Sequence, residues 1–348
     1  MKHAVVLLIV ACLCIGMSGC NLLNSGSYVS VEPHKSAGSG ASLADLQASS
    51  YPQMCDALCT LINNGTQSGV IYLYDLTENA VHSYMEVALR YIYNEYPVGV
   101  YAVEHIDYEV GMNGGKFALA VKITYSRSHT ELLKIKYTEN MQQLESALGS
   151  ALESCEGSLV LLVDNYESLD YAALVNRYAQ KNAHLVMELP QVMVAVYPDI
   201  GDSRLVELTF TYHTPQQRLL ELQELVRPVF LSAELYVQGV VKDYEKLSLL
   251  YSFLMERTNY TVVVDEASVY SLLYEGRGNS YAFASAYATM CTRAGIECNV
   301  VTGTRNAEKW HWNELILDGN VYYADLLASK QKGELVLCTE ENMAGYHW

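Results

Sequence analysis

The stretch Tyr270-Ser-Leu-Leu-Tyr-Glu-Gly-Arg-Gly-Asn-Ser-Tyr-Ala-Phe-Ala284 decides how the C-terminal third of the chain is read. Gly276-Arg-Gly278 interrupts the apolar run and supplies a turn. Asn279 and Ser280 then stand where a helix begins, and its pattern closes at Ala294-Gly295-Ile296. Beyond a loop come Trp310-His-Trp-Asn-Glu-Leu315, the turn Asp318-Gly-Asn320 and Tyr322-Tyr-Ala-Asp325, which read as two strands joined by a turn. No cysteine stands in the Gly-rich turn or at the helix start. Cys291 lies about three helical turns further on, where a thiol reads most simply as a small core side chain.

Upstream, residues Tyr244 to Tyr260 form an amphipathic helix, with Leu247, Leu250, Tyr251 and Leu254 at i, i+3, i+4 and i+7. The order of landmarks, from this helix through the Gly-rich turn to the strand ending in Asp325, resembles the transglutaminase-like domain, a relative of the papain-type cysteine peptidases. The resemblance covers residues 241–348 and implies a nucleophilic Cys at the helix start, a His on the next strand and an Asp that orients the imidazole. In the family's His-x-Trp-Asn, His and Trp share one strand face. Aligning Trp312-Asn313 places Trp310 in the His position and turns His311 to the other face. Counting back from Tyr281-Ala282 places Gly278 in the Cys position. Asp325 alone matches its family role, and here it is expected to bond the Trp312 indole or a backbone amide.

Two functional readings follow from that resemblance. In the first, thiol and base are lost and the fold is kept for binding. Arg277, Asn279, Tyr281, Trp310 and Trp312 then line the old cleft with aromatic walls and a few donors, suited to a cell-surface peptide, glycan or protein. A closed variant of it has Trp310 and Trp312 filling the vacated space as core. In the second, Ser280, His311 and Asp325 form an altered hydrolase or acyl-transferase set. Ser280 also fits an ordinary helix N-cap. With His311 expected to face away, the non-catalytic reading takes precedence.

At the other end, Lys2 and His3 precede an apolar run from Ala4 to Gly16, too short to span a bilayer comfortably but suited to a signal-peptide core. It ends in Met17-Ser-Gly-Cys20, which resembles the bacterial lipobox, although Leu is commoner than Met at the first position. Residues 1–20 are accordingly expected to be a lipoprotein signal peptide. Acyl chains on Cys20 would hold the protein on the extracytoplasmic face of a bacterial membrane. Residues 21–43, rich in Ser and Gly, have the composition of a flexible tether.

The middle of the chain carries an internal repeat. Gly69-Val-Ile-Tyr-Leu-Tyr-Asp75 matches Ser158-Leu-Val-Leu-Leu-Val-Asp164, and each run leads into a helical pattern and a hairpin. Ile123-Thr-Tyr125 and Phe210-Thr-Tyr212 close the two hairpins. The expected architecture is therefore α+β: two β-α-β-β-α units, 44–156 and 157–240, precede a transglutaminase-like domain at 241–348. Neither unit shows a nucleophile, a phosphate loop or a ligand cluster, so a scaffold or binding role is expected there.

Composition narrows the classes further. The 348 residues carry 39 acidic against 22 basic side chains, a net charge of −17 that repels nucleic acid. No cofactor is implied. The nine cysteines include no Cys-x-x-Cys and no Cys/His set at zinc spacing, so no metal is expected. In an exported protein any pair of them is open to oxidation, and the connectivity is not legible in sequence.

Overall fold

The structure, a computed structural model, describes residues 46–260 and 268–348. The expected leader, Cys20 and the tether lie outside the described residues. The described residues group into one compact unit.

The first layer comprises β1 (Gln47–Ala48), α1 (Tyr51–Asn63), β2 (Ser68–Leu73), α2 (Glu78–Asn94), α3 (Pro97–Ala102), β3 (Val103–Asn113) and β4 (Lys116–Tyr125). Pro52 occupies the first turn of α1, where its missing N–H is no loss, while Ser50 holds the N-cap position without a side-chain capping bond. Helix α2 is capped by the Thr77 hydroxyl and buries Val81, Met85, Ala88 and Ile92, a one-sided helical stripe. These strands form a sheet of order β1-β2-β4-β3, with β1 parallel to β2 and the other pairs antiparallel.

After the short α4 (His129–Leu132), a second layer follows: β5 (Lys136–Thr138), α5 (Met141–Glu153), β6 (Ser158–Val163), α6 (Tyr171–Lys181), β7 (Gln191–Tyr197) and β8 (Arg204–Thr211). Its sheet runs β5-β6-β8-β7, with β5 parallel to β6 and the rest antiparallel. Both sheets thus have the same order and the same strand senses. Strand β5 and helix α5 belong to the second sheet, so the boundary expected at 156/157 cuts through it. Each layer reads β-α-β-α-β-β, with the short α3 added in the first, rather than β-α-β-β-α. The reason is visible in β5, where Lys136 and Tyr137 are exposed and only Thr138 is buried. Three such residues leave no alternation to read.

The last layer begins with α7 (Gln216–Tyr236) and α8 (Asp243–Arg257), then β9 (Asn259–Tyr260), α9 (Val269–Tyr274), β10 (Arg277–Gly278) and α10 (Ser280–Arg293). Strands β11 (Cys298–Arg305), β12 (Glu308–Leu317) and β13 (Asn320–Ala324), helix α11 (Leu326–Lys332) and β14 (Tyr346–His347) complete it. The sheet runs β13-β12-β11-β14 and is antiparallel throughout. Leu219, Val226, Phe230 and Ala233 of α7 share one core with Leu247, Leu250 and Leu254 of α8 and with Phe283, Ala286, Tyr287 and Met290 of α10. A boundary at 240/241 therefore divides two helices that bury each other, and α7 belongs with the C-terminal part. At about 1.5–3 kcal/mol for each large apolar side chain buried, this shared core outweighs any linker signal between them.

Helix α10 is buried from Ala282 to Cys291. Its small residues Ala282, Ala284, Ser285, Ala286 and Ala288 let neighbours approach from every side, which places its N-terminus firmly against the sheet.

Candidate active site at the start of helix α10

The turn before α10 is held by β10, which pairs in parallel with β9. The Asn279 side chain caps the helix by accepting the Ala282 N–H at 3.0 Å. Ser280 is therefore the first helical residue and not the cap, and its hydroxyl is left for other partners. That hydroxyl accepts the His311 backbone N–H at 3.2 Å and lies 3.3 Å from His311 Nδ1. The Tyr281 ring meets the imidazole edge-on, with centroids 5.2 Å apart and planes at 72°.

The facing of β12 explains this contact. Asn313 is fully buried and donates from Nδ2 to the Ala284 carbonyl at 2.8 Å, so the odd-numbered residues of β12 look at α10. His311 shares that face. The alternation expected from sequence holds, in that His311 and the two tryptophans oppose each other. Its consequence was inverted, because the face His311 takes is the one that meets Ser280. Burial, followed by the nearby Lys309 charge, pushes the imidazole down to about 4.

Trp312 is fully buried on the opposite face, packed edge-on against Tyr346 at 5.1 Å and Trp348 at 5.3 Å. It is core rather than the wall of a groove, which corrects its expected binding role. Gly303 on β11 makes that packing possible, since a Cβ there would lie 2.7 Å from the Trp312 ring and 2.2 Å from the His347 carbonyl. Trp310, half-buried on the same face, donates from Nε1 to Asp325 Oδ2 at 2.9 Å.

Asp325 is 6% exposed and fully engaged. Besides Trp310, its Oδ2 accepts the Tyr346 hydroxyl at 2.6 Å and meets Arg305 Nη1 at 3.1 Å. Its Oδ1 caps α11 by accepting the Leu327 and Ala328 N–H groups at 2.9 and 3.0 Å. A carboxylate has about four lone-pair sites, so five donors leave none for an imidazole. Among the described residues no carboxylate forms an ion pair with His311. The expected Ser280-His311-Asp325 set is thus divided: Ser280 and His311 meet on one face of β12, and Asp325 serves the other. The indole on Asp325 is that of Trp310, not Trp312, because Trp312 points into the aromatic core.

The remaining sequence candidates play local parts. Exposed Arg277 pairs with Glu275 at 2.9 Å, and Asn279 is the helix cap. Arg305 and Tyr346 were not among the sequence candidates. They face each other across the β11–β14 pairing, and a two-residue strand carries no periodic signal. A surface groove of about 610 Å³ lies on α7, lined by Leu220 and Leu225 among others, away from Ser280. Among the described residues no three His, Cys, Asp or Glu side chains gather as a metal site, and no helix is long and apolar enough to cross a membrane.

Residues 232–325, which contain Ser280, His311 and Asp325, match the family model of the transglutaminase-like superfamily. This part of the chain is a transglutaminase-like domain. The chain is also similar to three solved structures. One is the crystal structure of a TGase, at 9% identity over 62% of this chain and 63% of that one, with a TM-score of 0.28. Another is a candidate protease from Parabacteroides distasonis, at 10% identity over 74% and 39%, with a TM-score of 0.26. The third is a candidate cysteine protease from Cytophaga hutchinsonii, at 14% identity over 45% and 70%, with a TM-score of 0.27. The chain spans less than two thirds of the length of the first two. A comparison with curated proteins finds no match.

Within the transglutaminase-like domain, the alignment that places Gly278 in the Cys position meets a steric obstacle. A Cβ at 278 would lie 2.8 Å from Leu272 Cδ1 and 3.3 Å from the Ala282 Cβ. The hydroxyl that meets the imidazole is that of Ser280, two residues later.

Proposed function

We propose that this is a lipid-anchored, extracytoplasmic protein whose transglutaminase-like domain binds a cell-surface peptide, glycan or protein without turning it over. One observation carries the non-catalytic part: the carboxylate expected to orient the base is held by five donors on the far side of β12 from His311. Two further observations support it. An imidazole held near 4 is a weak proton acceptor, and Ser280 is only 6% exposed. The anchor on Cys20 is proposed from the leader sequence.

A fluorophosphonate probe tests the chemistry. The expected result is no labelling of the purified protein. Labelling that disappears in Ser280→Ala overturns the proposal. Membrane fractionation tests the anchor, since Cys20→Ser should release the protein from the membrane pellet.

The contact between Ser280 and His311 favours a second reading, a two-residue hydrolase or acyl transferase. In it the Ser280 oxygen attacks a carbonyl carbon while Nδ1 takes the hydroxyl proton and passes it to the leaving group. Water then releases the acyl group from Ser280. The 3.3 Å separation lies just outside the reach of roughly 2.6–3.2 Å for a general base, and apo sites are often looser. Its signature would be activity that persists in acid until His311 protonates near 4.

A further inference from the structure

Two cysteines meet in the core that supports the site. Cys291 lies in the last turn of α10 and Cys298 is the first residue of β11, with 0% and 1% of their surfaces exposed. The chain reverses tightly between them. The Ala294 and Ile296 N–H groups both donate to the Cys291 carbonyl, at 3.0 and 2.9 Å, and Gly295 takes a φ of 81° that favours glycine. Both thiols are free in the structure and lie in one buried core beside Tyr287.

We propose that Cys291 and Cys298 are joined by a disulfide in the exported protein. The proposal rests on the extracytoplasmic location inferred above, where thiols meet oxidants. Other cysteines fit less well. Cys55 and Cys59 are also neighbours, but they are four residues apart on one helix. That spacing holds their Cβ atoms about 5–6 Å apart, against the roughly 3.5–4.5 Å of a disulfide. Cys155 has the Gln223 amide at 3.7 Å, and Cys338 is held in a β-bridge to Tyr323.

The oxidant is a disulfide, either oxidised glutathione or a thiol oxidoreductase. One cysteine thiolate attacks it, forming a mixed disulfide and expelling one thiol. The second cysteine then attacks the mixed disulfide and expels the other. Two protons and two electrons leave with the reduced oxidant. Burial pushes the Cys291 thiol well up, so the exchange takes place while the core is still open during folding. The bond would pin the end of α10 to β11, the neighbour of the strand that carries His311. The helix that starts with Ser280 and the sheet that holds the imidazole would then be covalently one piece.

Peptide mapping decides the matter. The full chain is refolded with reduced and oxidised glutathione, alkylated, and digested with trypsin without reduction. Trypsin cuts after Arg293, between the two cysteines, so a bond keeps two peptides together at a mass lower by two hydrogens. The linked pair should appear, separate on reduction, survive Cys338→Ser and vanish in Cys298→Ser. The mapping uses the unaltered chain, so it decides the question even where Cys298→Ser does not fold. Alkylated Cys291 and Cys298 after oxidative refolding would overturn the pairing. Linkage on refolding together with alkylated thiols in protein taken directly from cells would overturn the native bond through its location, and would leave the pairing geometry standing.

Discussion

On the face of β12 that meets α10, the His311 ring has Ser280 and the edge of Tyr281 for company. Beyond the other face, Asp325 collects an indole, a phenol, a guanidinium and two backbone N–H groups. The family pattern expects these two regions to be one site. Here one strand separates them, and each is satisfied in its own terms. The carboxylate is a structural hub, and burial pushes the imidazole down to about 4. The comparison teaches that the partners of a carboxylate have to be counted before a role is assigned to it.

The largest expected effect tests the hub. Asp325→Ala uncaps α11 and removes the buried carboxylate that pairs with Arg305 and accepts from Trp310 and Tyr346, and should cost about 3–5 kcal/mol by urea unfolding. A loss under about 1 kcal/mol would show that water satisfies these donors and would break the contrast. Acid probes the other region. The unfolded imidazole titrates near 6.5 and the folded one near 4, so as pH falls through this window the unfolded chain takes up protons first. The His311 contribution should therefore decline between about 6.5 and about 4 and then level off, at a size on the order of 1–2 kcal/mol after allowing for its partial exposure. Urea midpoints of His311→Gln against pH should be flatter by that share, while buried His184, also held near 4, and the lowered carboxyls of Glu131 and Glu188 keep their own contributions. Tyr346→Phe removes one donor from the hub and should cost about 1–2 kcal/mol, read in the same unfolding assay. Ser280→Ala should be mildest, within about 1 kcal/mol, because Asn279 caps the helix without it. If it proves as costly as Asp325→Ala, the two regions are not separate.

Much of the architecture was legible because it is local. The Gly276-Arg-Gly278 turn, the helix after it and the hairpin ending at Asp325 fall where the residues put them. Other features depend on neighbours distant in sequence. The His311 face was read from the family's spacing of His and Trp, whereas Asn313 reveals it through a bond to the Ala284 carbonyl. Asp325 found its Trp310 indole through the strand facing, and its phenol through β14, too short to announce itself. Strand β5 is equally short, so the start of the second layer carries no alternation in the sequence. Helix α7 was set apart from α8 because their shared core becomes apparent only when both pack on α10.

The cap at Asn279 has a wider consequence. One residue anchors the helix and the next presents its hydroxyl to the imidazole, so their mutational tolerances are uncoupled. Position 280 can exchange one small polar side chain for another while α10 keeps its start. A chemist wishing to install a new nucleophile beside an imidazole would find the vacancy already furnished, and the work would lie in freeing a carboxylate to stand behind it.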